Sequence, residues 1–213
     1  MRFDKKYAIL YAVTDRAWIG KQNLYEQVES ALKGGATCVQ LREKNLDEEL
    51  FLEEAIKIKS LCKKYGIPFL VNDNVDIAIK CEADGVHVGQ EDTAVSKVRK
   101  LVGDKMIIGV SVQNINEALE SIKNGADYLG VGAMFSTSTK LDANVIPFEN
   151  LKSVCNAVNI PVVAIGGIGK NNIMKLAGSG VNGVALVSAI FGAKNIEEEC
   201  RELRRLSEQM IKL

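Results

Sequence analysis

Gln40-Leu41-Arg42-Glu43-Lys44 closes an apolar run that begins at Ala36. In an extended chain alternate side chains share a face, so Gln40, Arg42 and Lys44 point one way and Leu41 and Glu43 the other. An amide and two cations leaving one strand tip suit a phosphate or pyrophosphate. The same pattern also describes a solvated strand end. Asp73 and Asp92 each follow a later apolar run. Magnesium is commonly held by one or two carboxylates together with substrate phosphates and water. The alternative is that each caps a helix, Asp73 one starting near Val75 and Asp92 one after Thr93. Ser136-Thr137-Ser138-Thr139-Lys140 sets hydroxyls beside a lysine, which acts on phosphate as a point charge; such a run is otherwise a polar loop. Gly166-Gly167-Ile168-Gly169 leaves main-chain N–H groups open to an anion, ahead of a helix expected near Asn171. His87, the single histidine, reads as a packed or hydrogen-bonded strand residue rather than a general base.

These residues need a scaffold that brings distant segments together. Strand-like runs fall at Tyr7–Thr14, Cys38–Arg42, Pro68–Asn72, Gly85–Val88, Met106–Val112, Tyr128–Met134, Pro161–Ile165 and Gly183–Val187. Helix-like stretches fill the gaps. Leu50, Glu54, Ile58, Leu61 and Tyr65 follow a three-to-four spacing, as do Ile196, Cys200, Leu203 and Met210. A third helix spans 114–124, with Asn114 or Asn116 as its N-cap. Gly34-Gly35, Gly85, Gly125 and Gly180 recur between a helix and the next apolar strand, where glycine ends the helix. The repeat fits paired βα modules and predicts an α/β chain, a (β/α)8 TIM barrel forming one domain over 1–213. An open doubly wound sheet competes, but eight strands of similar length occur and no glycine-rich dinucleotide turn follows the first. In such a barrel the chemistry sits at the carboxyl ends of the strands. Those ends carry Gln40, Arg42 and Lys44; Asn72 and Asp73; His87, Gln90 and Asp92; Ser111 and Gln113; the Ser136–Lys140 run; Gly166–Gly169; and Ser188.

Composition narrows the function. The 213 residues are 47% hydrophobic and 25% charged, with 27 basic and 27 acidic side chains. A formal net charge of zero argues against a general nucleic-acid or membrane binder. The five cysteines are widely spaced, with no metal-ligand pattern and no secretory apolar segment before them. They are expected to be reduced and mostly buried in a cytoplasmic protein.

Gln40–Lys44, Val71-Asn72-Asp73, Ala83–Asp92, Gly109–Val112, Thr137-Ser138-Thr139-Lys140, Ile165–Ile168 and Val187-Ser188 together resemble the thiamine phosphate synthase family, over nearly the whole chain and in the family's order. The resemblance implies an enzyme that joins an aminopyrimidine methyl pyrophosphate to a thiazole phosphate and releases pyrophosphate. It assigns Gln40, Arg42, Lys44, Asn72, Ser111 and Lys140 to the pyrimidine pyrophosphate, with Arg42, Lys44, Ser111 and Lys140 as catalytic and Leu41, Glu43 and Ser138 as further substrate-binding residues. It assigns Asp73 and Asp92 to Mg2+, and Thr137, Thr139, Gly167, Val187 and Ser188 to the thiazole phosphate. The expected partners are these two small molecules, without nucleic acid or membrane; the oligomeric state is left open. Members of the family often carry Pro at Ser136, His at Gln113 and Gly-Pro-Ile at Gly132-Ala133-Met134. A thiazole tautomerase is the nearest alternative, but it typically has a histidine where Ala133 stands and lacks the aspartate pair. A non-catalytic phosphate-binding barrel would not need both aspartates.

Overall fold

The computed structural model describes residues 2–20, 22–90, 92–137 and 144–213. Its strands are β1 (Leu10–Val13), β2 (Cys38–Leu41), β3 (Phe69–Asn72), β4 (Gly85–Val88), β5 (Ile107–Val112), β6 (Tyr128–Val131), β7 (Val162–Ile165) and β8 (Gly183–Leu186). All pair in parallel with their neighbours in chain order, and β8 closes on β1 with Tyr11 opposite Ala185. The expected barrel is therefore observed. Its helices are α1 (Lys5–Ala8), α2 (Leu24–Lys33), α3 (Glu48–Tyr65), α4 (Val75–Lys80), α5 (Val95–Val102), α6 (Ile115–Lys123), α7 (Phe148–Ala157), α8 (Ser188–Phe191) and α9 (Ile196–Met210).

The period of two divides each strand between two cores. Leu10, Ala12, Val39, Leu41, Val71, Val86 and Val110 face outward and pack under the helices. Tyr11, Val13, Cys38, Leu70, Ile107, Tyr128, Val163 and Ala185 face inward. Phe3 plugs the inner core from below, stacked on the Tyr128 ring at 4.1 Å between centroids. The four cysteines other than Cys155 are buried, and all five are free thiols.

Four local expectations change. The first strand is shorter than Tyr7–Thr14, because Asp4 accepts a hydrogen bond from the Lys6 N–H and starts a helical turn through Ala8. The sixth strand stops at Val131 rather than Met134. The helix expected near Asn171 is a single 3-10 turn, Ile173–Leu176. Gly178 and Gly180 follow it with φ of +75° and +88°, so the chain turns away before an α-helix can nucleate. In α3 the buried stripe runs through Phe51, Ala55, Ile58, Leu61 and Cys62, leaving Leu50 and Tyr65 exposed. Ile58 and Leu61 belong to either stripe, and packing against the barrel selects the one containing Phe51. Two expectations hold closely: Asn114 caps α6 by accepting from the Glu117 N–H, and α9 buries Ile196, Cys200, Leu203 and Met210.

Gly109 has a packing reason. A Cβ at this position would lie 2.2 Å from the Tyr128 ring. Gly109→Ala is expected to destabilise the fold by about 1–3 kcal/mol through overpacking. The check is a lower urea midpoint with an unchanged slope; a wild-type midpoint would show that Tyr128 has room to shift.

Candidate active site

Barrel closure brings the carboxyl ends of the strands to one rim. Past the end of β2 the alternation expected from sequence persists. Gln40 lies in the barrel interior and donates from Nε2 to the Tyr11 hydroxyl at 2.8 Å. Arg42 is fixed at both ends, its N–H donating to Thr14 Oγ1 and its guanidinium to Asp15 Oδ2 at 2.8 Å. Lys44 reaches across to β3, where its Nζ lies 2.7 Å from Asp73 Oδ2. Leu41 and Glu43 turn the other way. Leu41 is wholly buried in the outer core. The Glu43 carboxylate is 2% exposed and held by Arg16 Nε and NH2 at 2.9 and 3.0 Å. Any ligand contact from these two is therefore through their main chain.

Asp73 is not the helix cap; Asn74 is, accepting from the Ile77 N–H. Asp73 has φ of +60°, a left-handed conformation that aspartate tolerates better than most residues. Its N–H donates to the His87 carbonyl at 2.8 Å, which directs the carboxylate to the rim. There Asn72 Nδ2 donates to Asp73 Oδ2 at 2.6 Å. Asp92 does not cap a helix either, since α5 begins after Ala94 without a side-chain cap. Its Oδ2 accepts from the Gly89 N–H at 2.6 Å. Burial pushes the Asp92 carboxyl above its ordinary value against the pull of that N–H, and the adjacent Asp73 carboxylate raises it further. Lys44, Asn72, Asp73 and Asp92, four residues singled out from sequence, thus share one corner.

Across the barrel, the β7 end is packed against the segment after β6. The Phe135 N–H donates to the Gly166 carbonyl at 3.0 Å. Gly167 has φ of +63°, and a Cβ there would sit 2.3 Å from the Ser136 carbonyl oxygen. Only glycine fits. The Gly169 N–H is not open to an anion as expected, because it donates to Asn172 Oδ1 at 2.8 Å. Val187 and Ser188 lie at the end of β8, and Ser188 opens α8. Ser188 also lines an open groove of about 390 Å3 with Lys170, Lys194 and Glu199. Thr137 is described; Ser138, Thr139 and Lys140 lie outside the described residues.

Sequence reasoning did not anticipate the interior polar chain. His87 Nδ1 is 2.7 Å from the Tyr128 hydroxyl, which is 2.8 Å from the Tyr11 hydroxyl, while His87 Nε2 is 2.9 Å from Ser111 Oγ. Burial lowers the His87 pKa to about 4, partly opposed by Asp92. Burial also raises the pKa of each cysteine. The interior therefore offers neither a thiolate nor a basic imidazole with a free nitrogen. Among the described residues no three His, Cys, Asp or Glu side chains cluster to hold a metal. Among the described residues no helix is long and apolar enough to cross a membrane.

Fold and rim define a (β/α)8 barrel whose carboxyl ends gather cations, carboxylates and amides. The family described as thiamine monophosphate synthase matches residues 10–190. Thiamine-phosphate synthase of Clostridium acetobutylicum is 48% identical over 192 residues, covering 90% of this chain and 91% of that protein. The Clostridioides difficile protein of the same name is 48% identical over 195 residues, covering 92% and 93%. The solved thiamine phosphate pyrophosphorylase from Pyrococcus furiosus superposes with a TM-score of 0.90 at 40% identity, covering 97% of this chain and 98% of that one. A 3-hexulose-6-phosphate synthase, 17% identical with a TM-score of 0.66, shares the fold alone. This chain belongs to the thiamine monophosphate synthase family.

The buried imidazole has a stability consequence. Below about pH 6.5 an unfolded histidine takes a proton that folded His87 refuses until about pH 4. Protonation thus favours unfolding, and stability falls as pH drops through that window, by about 3 kcal/mol at most. Asp92 works oppositely, because its raised pKa lets the folded state take a proton first. The comparison is therefore the pH slope of urea-derived stability in wild type against His87→Gln. The variant is expected to lose the His87 contribution; identical slopes would contradict it.

Proposed function

We propose that this chain is the synthase for which its family is named, joining an aminopyrimidine methyl pyrophosphate to a thiazole phosphate to give thiamine phosphate and pyrophosphate. The observation that carries this reading is the corner where Lys44, Asn72, Asp73 and Asp92 meet, on the same rim as Arg42 and the glycine turn at Gly167. Arg42, Lys44 and Lys140 bind the pyrophosphate. Gln40, Asn72 and Ser111 hold the pyrimidine portion of the same substrate, with Leu41 and Glu43 contributing main chain. Thr137, Ser138, Thr139, Gly167, Val187 and Ser188 receive the thiazole phosphate.

Asp73 and Asp92 suit Mg2+. Two crowded carboxylates at a polar rim are a donor set that a hard divalent cation favours, with phosphate oxygens and water completing its shell. When bound, Mg2+ supplies positive charge to the departing pyrophosphate. In this structure the Lys44 ammonium partly meets the same need at Asp73.

The reaction asks little covalent chemistry of the protein. The methylene C–O bond breaks with its electron pair leaving on the pyrophosphate, and the thiazole nitrogen supplies the pair for the new C–N bond. Positioned cations stabilise the charge that develops on the leaving group. Holding the thiazole beside the methylene replaces an encounter in solution with a local step. A barrel interior without a reactive cysteine or basic histidine suits this division of labour, because a stray nucleophile would capture the pyrimidine cation.

The test supplies both phosphorylated precursors with Mg2+. Pyrophosphate release is expected only when both are present; conversion of the thiazole alone, or binding without turnover, would overturn the proposal. Arg42→Ala and Lys140→Ala are each expected to lower kcat about a hundredfold or more, as the loss of a charge-stabilising group does. Unchanged thermal midpoints would separate this effect from misfolding, and near-wild-type rates would remove those residues from the leaving-group site. Asp73→Asn combined with Asp92→Asn is expected to abolish both activity and Mg2+ binding measured by calorimetry. A double variant that still binds the ion would move the metal elsewhere.

A further inference from the structure

The interior hydrogen bonds form one continuous relay across the barrel, from Gln40 on β2 through Tyr11 on β1, Tyr128 on β6 and His87 on β4 to Ser111 on β5. Its first four members are 7% exposed or less. Ser111 alone is half-buried and reaches the mouth.

The direction of the relay follows from counting hydrogens. Gln40 Nε2 has only hydrogens to offer, so the Tyr11 oxygen accepts from it. Each phenol then has one proton left to place. If Tyr128 donated to Tyr11, the Tyr11 proton would be left with the Cys38 sulfur, a weak acceptor within its hydrogen-bond reach. A buried hydroxyl left this way costs about 1–3 kcal/mol. Tyr11 therefore donates to Tyr128, and Tyr128 donates to His87 Nδ1. A neutral imidazole carries one proton, and with Nδ1 accepting, that proton is on Nε2. It is donated to Ser111 Oγ, so the Ser111 hydrogen is free to turn outward. The Gln90 side chain fixes the serine backbone, donating to the Ser111 carbonyl at 2.7 Å.

We propose that His87 is a positioning residue which, as the last link of this relay, makes Ser111 a hydrogen-bond donor toward a ligand in the mouth. The inference rests on the synthase reading only in identifying that ligand. The group opposite Ser111 is then an acceptor atom of the pyrimidine pyrophosphate substrate, and Ser111 is not a base. Gln40 and Ser111 act as a pair, because the amide face that Gln40 turns inward sets what the serine offers outward. A ligand that needs an acceptor at the Ser111 position is disfavoured by the whole relay rather than by one side chain.

The chain has one histidine, so 15N-histidine labelling reports His87 alone. The full-length protein is expected to show a proton-bearing Nε2 and a bare, accepting Nδ1. The opposite tautomer, or an averaged mixture, would overturn the proposal. Tyr128→Phe removes the donor to Nδ1 while keeping the ring. It is expected to blur the tautomer and to raise KM for the pyrimidine pyrophosphate about tenfold, the effect of one lost hydrogen bond, with KM for the thiazole phosphate unchanged. An equal rise in both constants would mean a general packing defect and would also overturn it. If Tyr128→Phe does not fold, or if the wild type proves not to be a synthase, the wild-type tautomer still decides the direction of the relay.

Discussion

The site depends on closure of the parallel barrel. Hydrogen bonding between β8 and β1 leaves no free strand edge, and parallel pairing throughout puts every carboxyl end at the same rim. Lys44 and Asp73 are separated by 29 positions in the chain, yet form an ion pair of 2.7 Å because β2 and β3 are neighbours. Asp92 joins them because β4 is next in the ring. An open sheet with another strand order would hold the same residues and not this corner.

Closure also creates an interior, and its filling is unusual. Much of the inner layer is apolar, but Gln40, Tyr11, Tyr128, His87 and Ser111 run a polar line through it. Such a line is tolerated only when its members satisfy one another, since an orphaned group in a low-dielectric interior is costly. Here each side chain has partners, and Gly109 vacates the volume that the Tyr128 ring occupies. The requirement for satisfaction in the core and the presentation of polar atoms at the mouth are met by the same residues.

Several features were legible because they are local. Alternation at Gln40–Lys44 fixed which side chains share a face, and it predicted that Leu41 and Glu43 turn away from the others. The eight apolar runs and the glycines after α2 and α6, Gly35 and Gly125 with positive φ, pointed to a barrel, whereas Gly85 opens β4 rather than ending α4. The cap at Asn114 obeyed a rule spanning three residues. Where several local solutions were equally good, the local pattern could not choose between them. Either of two stripes on α3 was periodic, and barrel packing decided between them. Asp73 and Asp92 satisfied the pattern of helix caps, but Asn74 supplied one cap and α5 went without a side-chain cap. The Gly169 N–H looked available until the Asn172 side chain folded back onto it.

The sequence by itself determined the order of strands and helices, the alternation of faces along each strand, and the set of rim residues that match a family pattern. Those depend on the chain's own period and on turn chemistry within a few residues. Tertiary structure decided which of these groups touch: Lys44 with Asp73, Asp73 beside Asp92, and His87 joined to Ser111 on one side and Tyr128 on the other. Contacts between strands are set by closure and register, which are properties of the whole ring. A lone histidine in an apolar run therefore carried no sign of its two partners, 24 and 41 residues away.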